Sequence, residues 1–119
     1  MPTYVDGFVL TVPTKKLPLY KKMAQLAAKV WIEHGAVSYR ECIGEDLKVK
    51  FGLPFPKLTQ AKPSETVCFS WIEYKSRAHR DKVNAKVMTD PRIANMDPKK
   101  MPVDSRRMVY GGFKVLVDL

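Results

Sequence analysis

Glu41 is the residue of this 119-residue sequence best placed for acid–base chemistry. In an extended strand its side chain shares one face with Val37, Tyr39 and Ile43. A carboxylate on such an apolar stripe is poorly solvated, so it can act as a general base towards a bound molecule. The alternative is structural, with Glu41 paired to Arg40 or to another basic residue at the edge of a sheet.

The two histidines and two cysteines lack the spacing of a metal site. There is no Cys-x-x-Cys motif and no close histidine pair, so we predict no metal. His34 is predicted at a helix C-terminus, where the dipole favours a cation, and His79 in a basic first helical turn. Cys42 and Cys68 are interpreted as small buried hydrophobic residues or, if they face each other, as a redox pair.

Other catalytic and cofactor signatures are missing from the sequence. There is no Gly-x-Ser-x-Gly motif, and Gly111-Gly112 is too short for a phosphate-binding loop. The glycine pair instead indicates a bend in a strand. We therefore predict no cofactor, and whether the protein is an enzyme stays open.

The elements that must position these residues alternate between strands and helices. Apolar periodicity and capping residues predict strands over Tyr4–Val12, Val37–Ile43, Glu65–Lys75 and Arg106–Leu119, with helices over Pro18–His34 and from Ser76 to Asp90. Gly35 is the predicted left-handed residue after the first helix. The order β-α-β-β-α-β predicts an α+β fold, a ferredoxin-like antiparallel sheet with both helices on one face, as a single domain over 1–119.

Both faces of the predicted sheet are apolar. The third strand carries Val67, Phe69 and Trp71 on one parity and Ile72 and Tyr74 on the other. Because two helices cover only one face, a second copy of the sheet is the simplest cover for the other. We therefore predict a homodimer that forms a dimeric α+β barrel, with a monomer shielded by its own long loop and tail as the alternative.

The 17-residue connection Leu47–Pro63 is long for a hairpin and carries aromatic residues beside lysines. We interpret it either as a flap over a pocket or as an arm that supports dimerisation. Symmetric pairing of the flanking strands about Phe55 would place Cys42 opposite Cys68 and Tyr39 opposite Trp71.

Composition limits the class of protein further. Lysine and arginine number 21 against 12 acidic residues, a net charge of +9 that makes nucleic-acid binding an alternative function. The lysines are dispersed along the whole chain, which is more typical of a solvated surface. No apolar run reaches the length of a membrane span and no signal sequence is evident, so we predict a cytoplasmic location.

Several separate stretches resemble one family. They are YVDGFV at the start, the Trp31 helix ending at His34-Gly35, YRECIGEDL from Tyr39, ETVCFSWIEYKSRAHRDKVNAKVMTDPR from Glu65 and MPVDSRRMVYGGF from Met101. Together they are similar to the YbaA-like family of short bacterial proteins, a domain of unknown function. The resemblance implies the dimeric α+β barrel fold and a homodimer, and it carries no established catalytic residue. Val103 and Ser105 depart from the family's usual Phe and Gly, so the segment before the last strand is expected to differ.

That superfamily includes cofactor-free enzymes and binding proteins that use a pocket between the sheet and the helices. The resemblance therefore implies small-molecule binding or cofactor-independent catalysis at such a pocket. Its predicted lining consists of Tyr4, Trp31, Tyr39, Glu41, Trp71 and Tyr110. A purely structural dimer without a pocket remains a third possibility.

Overall fold

Four antiparallel strands form a single sheet. In the computed structural model, which describes residues 2–119, these strands are β1 (Tyr4–Pro13), β2 (Ser38–Ile43), β3 (Glu65–Tyr74) and β4 (Val109–Lys114). Their order across the sheet is β2-β3-β1-β4, so the two longest strands are central and the two shortest are at the edges. This arrangement confirms the predicted α+β class and the ferredoxin-like topology.

Two long helices cover one face of this sheet, and two short ones lie in the connections. They are α1 (Leu17–Glu33), α2 (Phe55–Thr59), α3 (Arg77–Thr89) and α4 (Pro91–Ala94). No helix in residues 2–119 has the length and hydropathy needed to cross a membrane.

Local sequence explains where the helices begin and end. Pro18 occupies the first turn of α1, where a missing backbone N–H is harmless, and Gly35 follows the helix with a φ of 110°. The Ser76 side chain accepts a hydrogen bond from the His79 backbone N–H and so caps α3. Asp90 ends α3 and caps α4 in the same way.

Alternation along the central strand β1 defines two faces of the sheet. The inner face, under α1 and α3, carries Tyr4, Asp6, Phe8, Leu10 and Val12, and the outer face carries Val5, Gly7, Val9 and Thr11. The core on the inner face includes Val30 of α1 and Val83 and Val87 of α3 packed with Tyr74.

The predicted register between β2 and β3 is wrong by one residue. Cys42 lies opposite Phe69, and Cys68 lies opposite Ile43. Because side chains alternate between faces, this slip places Cys42 on the outer face and Cys68 on the inner face. The two thiols therefore do not face each other, and both cysteines are free.

The last strand and the long connection also differ from expectation. The last strand covers Val109–Lys114 rather than Arg106–Leu119, because residues 105–107 form a helical turn and residues 115–119 have no regular structure. The connection Leu47–Pro63 contains helix α2, whose Phe55 ring meets Phe69 on the outer face edge-on at a centroid distance of 6.1 Å. α2 thus covers one part of the outer face.

Candidate functional site

A cavity of ≈ 520 Å³ lies between the inner face and the elements that cover it. Its floor is formed by side chains of β1, β2 and β3, and its roof by α1 and α3. A third wall comes from the largely irregular segment 91–108, which contributes Ile93, Met96, Met101, Val103 and Met108. The volume is in the range of small-molecule sites.

Most of the cavity lining is apolar and deformable. Five of the six methionines in the chain line it, namely Met23, Met88, Met96, Met101 and Met108. Unbranched thioether side chains adapt to ligands of different shape. The lining therefore favours an apolar molecule over a highly charged one.

Glu41 lines this cavity and is held by two tyrosines. Its Oε1 accepts a hydrogen bond of 2.7 Å from the Tyr20 hydroxyl, and its Oε2 accepts one of 2.9 Å from the Tyr39 hydroxyl. Burial, and then the neighbouring Glu41 charge, raises the pKa of both tyrosines, which stay protonated as donors. Each oxygen of Glu41 is therefore already engaged.

Asp6 is a second carboxylate in the cavity lining, and the sequence analysis missed it. Its side chain is 1% exposed, and Arg80 Nη1 lies 3.3 Å from its Oδ1 atom. Oδ1 nevertheless has no hydrogen-bond partner among the described residues. Burial raises the pKa of Asp6 and outweighs the opposing effect of Arg80. The available signal was a charged residue on the same parity as Tyr4 and Phe8.

Arg80 connects Asp6 to the tyrosines beside it. Its guanidinium donates hydrogen bonds to the Tyr110 hydroxyl at 3.2 Å and to the Tyr4 hydroxyl at 3.3 Å. The Tyr110 ring stacks on Phe8 with a centroid distance of 4.8 Å. These contacts fix both Tyr110 and the arginine at the end of the cavity that contains Asp6.

Asn84 of α3 adds a further polar side chain to the wall of the cavity on the side of the helices. Its Oδ1 accepts hydrogen bonds from Trp31 Nε1 at 3.1 Å and from the Tyr74 hydroxyl at 3.2 Å. Asn84 and Trp31 both line the cavity, so part of the roof is fixed by hydrogen bonds to the core. Sequence reasoning missed Asn84, because an asparagine within a helix gives no signal of its partners.

The structure brings four of the six predicted lining residues to the cavity: Trp31, Tyr39, Glu41 and Tyr110. Tyr4 is buried in the core and reaches the site only through Arg80. Trp71 lies on the outer face, because Tyr39 pairs with Ile72 rather than with Trp71. It lines a separate groove of ≈ 630 Å³ on that face.

Ion pairs anchor both ends of the segment 91–108. At its start, Asp90 contacts His34 Nε2 at 2.9 Å and Arg92 Nη2 at 2.8 Å, and the pKa of Asp90 is held well below its usual range, chiefly by Arg92. At its end, Arg107 donates to Glu65 at 2.6 and 2.8 Å. The segment is thus tied at each end to the elements that frame the cavity.

The histidines have structural partners. His34 bonds to Asp90, and the Nδ1 atom of His79 accepts a 3.0 Å hydrogen bond from the Lys75 backbone N–H. No group of three or more His, Cys, Asp or Glu side chains within residues 2–119 is arranged to hold a metal ion.

Fold and cavity together define an α+β sandwich protein with a largely apolar chamber under its helices and two carboxylates in the chamber lining. The profile of the family described as "Protein of unknown function (DUF1428)" matches residues 3–105, and the chain belongs to this family. It is 43% identical over 115 residues to "Uncharacterized protein YbaA" of Escherichia coli K12 and to the protein of the same name in Shigella flexneri, with 97% of each chain covered.

Two solved structures have a similar fold. A NIPSNAP family protein of unknown function from Agrobacterium tumefaciens aligns with a TM-score of 0.61 at 17% identity, covering 96% of this chain and 88% of that one. An uncharacterized NIPSNAP domain protein from Burkholderia xenovorans aligns with a TM-score of 0.53 at 13% identity, covering 92% and 91%. These likenesses support the α+β fold, and no specific function accompanies the family or these relatives.

Proposed function

We propose that the protein binds a small, largely apolar molecule in the cavity between the sheet and the helices. The observation that carries this proposal is the cavity itself, whose ≈ 520 Å³ are lined mostly by apolar side chains, five methionines among them. A concave apolar site with a few fixed polar groups is typical of small-molecule binding. The polar groups at its wall are paired within the protein, so the open space favours an apolar ligand.

The placement of Glu41, Tyr39 and Trp31 supports the same proposal. Glu41 already accepts hydrogen bonds from Tyr20 and Tyr39, and Trp31 already donates one to Asn84. These side chains therefore shape the chamber without requiring a charged ligand. Binding and cofactor-independent catalysis would share this chamber. Glu41 is the candidate acid–base group of such a reaction.

N-phenyl-1-naphthylamine, an uncharged apolar dye that fluoresces on leaving water, tests the proposal directly. We expect it to bind the wild-type protein, and Ala27→Leu to weaken binding because Ala27 lines the cavity. Ala85→Leu is the matched control, since it makes the same change at an exposed position of α3 that does not line the cavity. No binding by the wild-type protein, or equal binding by both variants, would contradict the proposal and favour a purely structural protein.

We also propose that the protein is a homodimer joined through the outer face. Phe69, Val109 and Phe113 are exposed there, and α2 covers only one part of the face. Such a continuous apolar patch favours burial against an identical patch by two-fold symmetry. The fold type of the structural neighbours supports this proposal, and its test is given in the Discussion.

Single-stranded nucleic acid is the second candidate for the outer face. Arg40 lies over the Trp71 ring at 5.9 Å, beside exposed aromatic residues, in a chain of net charge +9. Aromatic rings on a sheet surface are a stacking platform for bases. Filter binding to generic single-stranded RNA at two salt concentrations tests this function, and no retention at low salt excludes it.

We propose a bacterial cytoplasmic location for this activity. The two cysteines are unpaired and lie on opposite faces of the sheet, which suits a reducing compartment. Cell fractionation followed by immunoblotting tests the location, and recovery outside the cytoplasmic fraction would contradict it.

A further inference from the structure

We propose that the cavity binds an organic cation with a single charge, an amine or alkylated ammonium on an apolar chain, whose positive group lies against the Glu41 carboxylate. This inference rests on the proposed small-molecule function and names the class of ligand. Such a ligand is still largely apolar, because only one end of it is charged. In this role Glu41 is a binding residue, and no proton transfer is needed.

The Glu41 carboxylate has hydrogen bonds but no compensating positive charge. Both hydrogen bonds come from phenol hydroxyls, at 2.7 Å from Tyr20 and at 2.9 Å from Tyr39. Within residues 2–119, no lysine, arginine or histidine forms an ion pair with Glu41. A charge that is partly withdrawn from water without an opposite charge is unfavourable. A cationic ligand supplies the missing charge.

Glu41 remains accessible to a bound molecule. The side chains of Glu41, Tyr20 and Tyr39 are half-buried, so none of them is sealed within the core. A carboxylate has about four lone-pair positions, and the two tyrosines occupy one on each oxygen. The remaining positions accept N–H donors from an amine, and the charge also attracts an alkylated ammonium that has no N–H group.

The cavity lining contains no basic residue, although the chain is strongly basic. Lysine and arginine number 21 against 12 acidic residues, yet no lysine, arginine or histidine among residues 2–119 lines the cavity. Two carboxylates do line it, and one of them, Asp6, already has Arg80 at 3.3 Å. The uncompensated charge in the lining is therefore negative and belongs to Glu41.

Aromatic rings beside Glu41 also suit a cation. Tyr20, Tyr39 and Trp31 line the cavity together with Glu41, and the ring centroids of Trp31 and Tyr39 are 5.9 Å apart. The electron-rich faces of such rings attract cations, and aromatic cages recognise alkylated ammonium groups. Trp31 is held in place, because its Nε1 donates a hydrogen bond to Asn84. Carboxylate and rings thus provide two kinds of attraction for one positive group.

The position of Glu41 also determines how the ligand is oriented. Glu41, Tyr20 and Tyr39 line a neighbouring groove of ≈ 750 Å³, formed mainly by α1 and β2, as well as the cavity. The groove is also lined by Lys21, whereas the cavity has no basic residue among the described part of the chain, so the cation approaches Glu41 from the cavity side. The apolar chain then packs among the five methionines of the cavity.

Three probes with one alkyl chain test the charge of the ligand: octylammonium, 1-octanol and octanoate. Each is measured at neutral pH by displacement of N-phenyl-1-naphthylamine, and a primary ammonium stays protonated there. We expect octylammonium to bind the wild-type protein about 10-fold more tightly than 1-octanol, and octanoate to bind most weakly. The net charge of +9 favours the opposite order, so a preference for octylammonium reports the local charge of the cavity.

Glu41→Gln assigns this preference to one residue. The substitution keeps the size of the side chain and one acceptor oxygen but removes the charge. We expect the affinity for octylammonium to fall about 10-fold, while the affinity for 1-octanol stays nearly the same. Glu45→Gln is the matched control, because it makes the same change at an exposed position that does not line the cavity, and it should retain the wild-type order.

The outcomes separate this inference from the function on which it rests. If the dye binds but octylammonium is not preferred over 1-octanol and octanoate, the cationic ligand is overturned and the binding cavity stands. If Glu41→Gln keeps the preference, or Glu45→Gln loses it as well, the role of Glu41 is overturned. If the dye itself does not bind, the proposed function fails. Should Glu41→Gln not fold, the order of the three probes on the wild-type protein still decides the class of ligand.

Discussion

The two faces of the sheet are made of similar residues and meet very different surroundings. Ile72 on the inner face is 2% exposed beneath the helices, whereas its neighbours Phe69 and Phe113 on the outer face are 43% and 61% exposed. The inner face also contains the buried polar group formed by Asp6 and Arg80. Apolar composition therefore does not decide whether a face becomes core; the presence of a covering element does.

The covers of the two faces differ in how they are held. α1 and α3 supply Val30, Val83 and Val87 to a continuous core with the inner face, and ion pairs anchor the segment 91–108 beside it. Among residues 2–119, the helix over the outer face is α2, which contributes buried Thr59. The inner cover frames a chamber that is partly open to solvent, and the outer cover leaves an apolar groove exposed.

The largest expected effect comes from a charge on the outer face. Val109→Lys should convert a homodimer into a monomer, weakening association by roughly 100-fold or more, because an unpaired charge would be buried between subunits. Leu19→Lys on α1 is the matched control, since Leu19 is 46% exposed against 41% for Val109. Sedimentation at micromolar concentration measures both, and a monomeric wild-type protein would remove the proposed dimer.

A second pair of substitutions compares the faces within one monomer. In the Val109→Lys background, Val87→Ala should lower the free energy of unfolding by about 2 kcal/mol, because it leaves a void in the core. Phe113→Ala removes a larger side chain but should reduce it by less than about 1 kcal/mol, because that ring is mostly exposed in the subunit. Urea unfolding measures both, and equal losses would show that the outer face is already covered.

Acid should weaken the anchor of the inner cover. Hydrogen bonds from Arg107 lower the pKa of Glu65 from 4.5 to about 2 in the folded chain. The depressed value means that this stabilisation is complete above about pH 4.5 and disappears as the pH falls towards 2. The urea midpoint of the wild-type protein should therefore fall as the pH is lowered from 6 to 2. The part of this fall that arises from Glu65 should disappear in Arg107→Gln and remain in Arg106→Gln, whose side chain does not reach Glu65. The same slope in both variants would contradict the assignment.

The smallest expected effect is a difference in reactivity between the two cysteine thiols, which lie on opposite faces of the sheet. Burial raises the pKa of Cys68 on the inner face to about 11, so at pH 8 it should resist a disulfide reagent while Cys42 on the outer face reacts. We expect about one fast-reacting thiol in the native protein and faster labelling of Cys42 in Val109→Lys. Two equally reactive thiols, or a Cys42–Cys68 disulfide, would contradict the observed register.

Much of the fold could be predicted because its signals are local. The strand beginning at Tyr4, the proline in the first turn of α1, the Gly35 stop and the Ser76 cap each depend on a few neighbouring residues. The end of the last strand could not be predicted, because residues 115–119 are as apolar as a strand but lie beyond the pairing partners that β1 offers.

The candidate site was predicted only in part. Tyr39, Glu41, Trp31 and Tyr110 were expected together and do line one cavity. Trp71 was assigned to that cavity because the pairing of β2 with β3 was expected one residue away from its observed register. Asp6 was overlooked, because its burial in the cavity wall depends on Arg80, a partner distant in the sequence.

Element order, the two apolar faces and the positive charge were determined by the sequence alone, because composition and short-range periodicity encode them. Only the tertiary structure decided which face each cysteine and tryptophan occupies, since side chains alternate with period two and one step of register reverses them all. It also decided that Asp6 is buried beside Arg80, 74 positions along the chain. The sequence shows only a charged residue inside an apolar strand, because its ion-pair partner and the cavity beside it come from distant parts of the chain.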